Sequence, residues 1–181
     1  MFEYFGTDEE GLGNPARIPP TLDGVGAKLR TEWLRKVLFD SEAVRPYMHT
    51  RMPQFGEANL RHLPALFEKV DRLPKVELPE PKRDDRRKYR EGGHLLVGDK
   101  GLNCIACHNF NGKASPGLKG VDLLNSFERL QPSWFVHFMK NPQQYRPGIV
   151  MPNYWPGGEA VRKDVLEGDT DEQMQALWHY F

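Results

Sequence analysis

The chain has 181 residues and is 39 % hydrophobic, enough for one large or two small folded units. Lysine plus arginine equals aspartate plus glutamate at 25 each, a balance that gives no argument for a nucleic-acid or anionic-membrane partner. No run of about 18 apolar residues exists, so no segment is expected to span a bilayer.

The opening stretch MFEYFGTDEEGLG lacks the basic region and apolar core of a secretory signal. The closing ALWHYF stops inside a helical pattern, so both ends read as cut and a segment of a longer protein is expected. Fifteen prolines and 17 glycines imply much loop. In the first part, a helix starting at Thr31 would carry Trp33, Leu34, Val37 and Leu38 on one face. A second would carry Leu60, Leu63, Phe67 and Val70, with Pro64 as a kink. Pro74, Pro79 and Pro81 break regular structure, and residues 72–85 are expected to be a linker. The mixed charges of Lys82 to Arg90 read as the solvated start of a helix running through Tyr89 toward Leu96.

Next comes GLNCIACHNF, residues 101–110, which holds both cysteines of the chain. Cys104 and Cys107, one turn apart, present their sulfurs in the same direction. Two thioether bonds to the vinyl edge of a haem need that reach, and His108 can then turn its imidazole onto the iron. Cys104-Ile-Ala-Cys107-His108 therefore reads as a c-type haem attachment sequence. Structural zinc would want a second ligand pair, whereas His94, His137 and His179 are scattered. A dithiol redox site would prefer a strand–turn–helix setting, which HLLVGDKGLN does not provide. A disulfide within the motif would close a small strained loop.

The remainder echoes the first part. Residues 19–55 and 116–154 share Pro-x-Leu-x-Gly-Val, a Trp-led apolar turn, Arg-Pro and Met-Pro. The offset is 101 at Trp33/Trp134 and Arg45/Arg146, and 99 at Met52/Met151. This reads as an internal repeat, the alternative being chance similarity in Pro/Gly-rich sequence. A helix from Pro132 would bury Trp134, Phe135, Phe138 and Met139. Thr170 to Gln173 forms a capping box ahead of Met174, Leu177, Trp178 and Phe181. No alternating strand pattern is found, so the expected class is all-α with long loops.

In NPQQYRPGIVMPNYWP, residues 141–156, Met151 lies between Pro147-Gly148 and Pro152. A thioether on such a stiff loop suits a second axial iron ligand opposite His108. By spacing alone it suits an ordinary apolar loop residue equally well. With this loop after the haem motif and an aromatic helix at the end, residues 86–181 resemble class I cytochrome c. The resemblance implies a cytochrome c-like helical fold around one covalent haem c, with His108 and Met151 as axial ligands. It implies a glycine, Gly92 or Gly93, where the helix before the haem meets the last helix near Trp178. It also implies Pro116 beside the histidine, with a neighbouring carbonyl accepting the imidazole N–H. Arg129, Trp134 and Tyr145 become candidates to line the pocket or meet the haem propionates.

Residues 1–71 carry the later part of the same pattern without an attachment motif. Either Met52 is a candidate ligand of a further haem whose motif lies outside this sequence, or the unit serves packing or docking. Met48 and His49 are rival ligands there. The resemblance as a whole points to a one-electron transfer module serving redox partner proteins, in a bacterial periplasm or similar compartment. The alternatives are a haem enzyme or sensor with an open or labile distal site, peroxidase-like in character, and a docking module of a larger dehydrogenase.

Overall fold

The structure is a computed structural model that describes residues 4–181. Residues 1–3, where the stretch read for a secretory signal begins, lie outside the described residues. The helices in chain order are α1 (Val25–Lys28), α2 (Thr31–Phe39), α3 (Glu57–Leu60), α4 (Leu63–Val70), α5 (Arg86–Val97), α6 (Asn125–Arg129), α7 (Pro132–Lys140), α8 (Pro142–Tyr145) and α9 (Thr170–Tyr180). Extended pairing among the described residues amounts to four isolated bridges. The described chain is thus mostly helical with almost no strand, and among the described residues no helix is long and apolar enough to cross a membrane.

The main core lies in the second part. Leu96 and Val97 of α5, Trp134, Phe135, Val136 and Met139 of α7, and Met174, Leu177 and Trp178 of α9 are buried together. Aromatic side chains supply much of this apolar area. Phe135 contacts Trp178 at 5.2 Å between ring centroids, and Trp134 stacks on Phe138 at 4.6 Å. α5 crosses α9 closely because Gly93 has no side chain. A Cβ there would lie 2.5 Å from Tyr180 Cβ and 2.7 Å from the Ala176 carbonyl oxygen. The glycine contact implied by the resemblance is present, but it meets Ala176 and Tyr180 and not Trp178. Gly92 instead packs toward Leu166.

α9 starts one residue earlier than the expected capping box. Asp169 is the N-cap, and its carboxylate accepts the Glu172 backbone N–H at 2.8 Å. That register frees Thr170 to donate to the Gly158 carbonyl. It also buries Gln173, which accepts from Trp155 Nε1 and donates to the carbonyls of Arg162 and Val165. A fully buried amide survives there because its polar atoms are paired.

In the first part, Trp33, Leu34 and Leu38 are buried on α2 as the spacing predicts. The second expected helix is two. Pro64 sits in the first turn of α4, where a missing N–H costs nothing, and the kink expected of it is a break between α3 and α4. Val70 is 69 % exposed and drops out of the stripe. α1 packs on α4 so closely that a Cβ on Gly26 would lie 2.2 Å from the Phe67 carbonyl. The Asp71 carboxylate accepts the Gly26 N–H.

Residues 72–82 have no helix and run along the second part. Leu73, Val76 and Leu78 pack on the main core. Val76 exchanges hydrogen bonds with Ser133, and His137 donates to the Pro74 carbonyl. Gln175 and His179 both donate to the Pro79 carbonyl. Between α1–α2 and α6–α7, Leu29 and Leu130 form an antiparallel bridge. Arg30 N donates to Arg129 O and Gln131 N to Lys28 O, both at 2.9 Å.

Candidate functional site

The Cys104–His108 stretch is one tight turn. Asn103 enters in the left-handed region at φ 56°, and a short 3-10 turn follows over Cys104–Ala106. Cys107 N and His108 N both donate to the Cys104 carbonyl, at 3.1 and 2.9 Å. Both thiols are free, with Cys104 partly buried and Cys107 exposed. Burial pushes the Cys104 thiol up to about 11, so it remains protonated near neutrality. That is the reverse of the lowered pKa an attacking redox thiol needs.

Glycines let the following loop close on this turn. A Cβ on Gly117 would lie 2.6 Å from the Ala106 carbonyl oxygen. One on Gly120 would lie 2.6 Å from the Cys107 carbonyl oxygen and 3.1 Å from His108 Nδ1. Gly120 N donates to Cys107 O at 2.8 Å, and His108 pairs with Gly120 in a parallel bridge. The bridge delivers the next carbonyl to the imidazole: His108 Nδ1 donates to Val121 O at 2.9 Å. The expectation that the acceptor lies next to Pro116 is corrected by this register, and Pro116 itself is exposed. Asp122 holds the loop by accepting N–H groups from Asn111, Gly112 and Leu124.

The Val121 bond fixes the ring with its proton on Nδ1 and leaves Nε2 with a lone pair. Burial lowers the His108 pKa, the Val121 carbonyl acts against this, and the Arg129 charge lowers it further. A neutral imidazole with a carbonyl behind it is the form in which histidine binds a metal.

Of the other expected pocket residues, Trp134, Tyr145 and Met151 share a core cluster with Cys104 and Ile105. Trp134 is buried, and Tyr145 meets its ring edge-on at 5.9 Å. Arg129 is 7 % exposed, and its Nε has no hydrogen-bond partner among the described residues. Burial, followed by repulsion from Arg45, lowers its pKa to about 10. Met151 is partly buried and packs on the cluster that also receives Cys104 and Ile105. Tyr154 joins the same cluster. Its hydroxyl pKa is raised by burial and then by Cys104 and Cys107.

Met52 and Met151 both lie in irregular segments, but Met52 is 39 % exposed whereas Met151 is partly buried. Met48 is buried in a small cluster with Ala16 and Tyr47, and His49 pairs with Asp8 at 2.7 Å. The first part reaches toward the second. Lys28 Nζ lies 4.6 Å from the Trp134 ring centroid, Arg146 donates to the Pro15 carbonyl, and Lys119 pairs with Glu9. Lys28, Arg45, Arg146 and the Val121 carbonyl were not singled out as site residues from sequence. The shared Arg-Pro at 45 and 146 was the available signal for two of them.

A wide groove of about 690 Å³ lies elsewhere, lined by Arg83, Arg86, Arg87 and Arg90 with Phe127 and Phe181 among its neighbours. It contains neither cysteine, and the chemistry of the Cys104–His108 turn does not involve it. Comparison with protein-family models, with curated proteins and with solved structures gave no match.

Proposed function

We propose that the chain is a one-electron carrier of the class I cytochrome c kind, holding one haem c through Cys104 and Cys107. His108 and Met151 would be the axial ligands. The observation that carries this reading is the His108 ring, fixed by Val121 O with Nε2 free, at the end of a turn bearing two free thiols. The donor set fits a haem in a further respect: Arg129, buried with an Nε that has no partner among the described residues, calls for an anion, and a haem brings carboxylates.

When bound, the haem supplies a metal that cycles between two oxidation states. The protein's residues do the rest. Cys104 and Cys107 would anchor the group covalently, and His108, held against rotation by Val121 O, and Met151, on its Pro/Gly-flanked loop, would ligate its iron. Trp134, Tyr145 and Tyr154 restrict water. Cys107 is exposed, so redox proteins would dock on this side of the chain. Attachment of such a haem implies an extracytoplasmic site.

The test is expression with haem-maturation machinery. The expected product carries covalent haem with a low-spin spectrum. Reduced protein that binds carbon monoxide would favour an enzyme or sensor instead, and colourless protein would reject the reading.

A further inference from the structure

We infer that Lys28 and Arg45 of the first part join Arg129 and Arg146 of the second in one socket for a dicarboxylate, whose occupant is the propionate pair of the haem anchored at Cys104 and Cys107. The inference rests on the haem reading above. It gives residues 4–71 a definite role as the inner wall of the haem pocket.

Four cations meet here without a counter-charge. Lys28 and Arg129 flank the Leu29–Leu130 bridge, Arg146 reaches the Pro15 carbonyl, and Tyr47, two residues after Arg45, packs on the adjoining Ala16. The Arg45 charge accordingly acts to lower the pKa of Lys28, Arg129 and Arg146. Among the described residues none of the four forms an ion pair. Two acids of the N-terminal segment are engaged elsewhere, Asp8 with His49 and Glu9 with Lys119. Arg129 is nine-tenths buried with Nε unpaired. Lys28 has only the face of Trp134, and Arg146 only the Pro15 carbonyl. Gathering partly buried like charges around the buried Arg129 is unfavourable unless an anion completes the group.

The arrangement is built into the backbone. Lys28 and Arg129 occupy matching positions of the two similar segments, as do Arg45 and Arg146, at the same offset of 101. The Leu29–Leu130 bridge draws the first pair together through the bonds from Gln131 N to Lys28 O and from Arg30 N to Arg129 O. Two pairs of cations suit two carboxylates better than one. Trp134 forms one side of the socket. Trp134 also belongs to the core cluster on which Cys104 and Ile105 pack, so the socket adjoins the place a haem would take. Covalent attachment would make the dicarboxylate permanent. A free dicarboxylate would come and go.

The experiment measures reduction potential against pH on the full chain with haem attached. The groups facing the socket are Lys28 on α1, Arg45 and Tyr47 on the loop after α2, Arg129 ending α6 and Arg146 after α8. In the wild type the propionates stay ionised and the potential is flat across the neutral range. Arg45→Gln lowers the potential, because a cation that favours the reduced state is lost, and brings a pH-dependent step into that range. Arg45→Lys restores most of the wild-type profile, and Lys28→Gln acts like Arg45→Gln. Added succinate leaves the wild type unchanged, since the socket is filled. A chain that carries haem but gives the same potential–pH curve in Arg45→Gln as in the wild type overturns the socket alone. A saturable succinate shift of the wild type does so too, and needs no variant. Wild type without covalent haem overturns the haem reading and the socket with it.

Discussion

Leu29 faces Leu130 in an antiparallel bridge, and the two leucines hold the same place in the two similar segments of the chain. The bonds that flank them are also equivalent, each N–H from the residue after one leucine reaching the carbonyl before the other. The two parts are therefore joined about a local two-fold relation at the backbone, with Leu130 buried beneath it. Leu130→Ala removes a buried side chain at this seam. It is expected to cost about 2–5 kcal/mol in urea unfolding. A loss near zero would mean that the bridge is not a structural joint.

The crossing of α5 and α9 depends on Gly93. Gly93→Ala places a methyl group against Tyr180 and the Ala176 carbonyl, where backbone has no room to yield. Unfolding free energy should fall by about 1–3 kcal/mol. An unchanged midpoint would show that the helices separate without cost.

Gly120 and Gly112 form a matched contrast near the candidate site. Gly120→Ala pushes on the Cys107 carbonyl and on His108 Nδ1, so the ring tilts and the absorbance spectrum of haem-loaded protein changes. Gly112 has φ +72° and open space around it. Its alanine variant is expected to lose about 1 kcal/mol of stability through backbone strain and keep the spectrum. Identical spectra for both variants would remove His108 from the site.

Lys28 supplies a pH test in a chain that holds no haem, Cys104→Ala with Cys107→Ala. Burial, then Arg45, Arg129 and Arg146, lower its pKa from 10.5 to about 7. The unfolded chain binds this proton up to its higher pKa, while the folded chain releases it above about 7. Stability therefore rises as pH increases from about 7 toward 10.5, and below 7 this residue contributes no slope. The limiting slope for one proton is about 1.4 kcal/mol per pH unit. Urea midpoints taken on either side of pH 8 should show the rise. Lys28→Met should flatten it and raise stability near neutrality. Equal slopes with and without Lys28 would contradict the burial of its charge.

Much of the fold was legible because burial imposes a period. Of the expected stripes, Trp33, Leu34 and Leu38 and Trp134, Phe135 and Met139 are buried on α2 and α7, whereas Val37 and Phe138 are only partly buried and Val136 is buried outside the expected stripe. Pro64 was legible as a break but not as a first-turn proline, because the sequence does not say on which side of it the helix continues. The Cys104–His108 turn is local in sequence, and its hydrogen bonds close within five residues, so its shape could be read directly. The imidazole acceptor was not legible. Whether Val121 or a neighbour of Pro116 meets the ring depends on the register set by Gly120 and Asp122. The gathering of Lys28, Arg45, Arg129 and Arg146 depends on how two distant segments dock, which no single window of sequence contains.

The most direct test of the central claim is the spectrum of haem-loaded wild type compared with Met151→Ala. Covalent haem is expected in both, and in oxidised wild type a sulfur-to-iron band that disappears in the variant. A band that survives in Met151→Ala, or protein that takes up no covalent haem at Cys104 and Cys107, would contradict that claim.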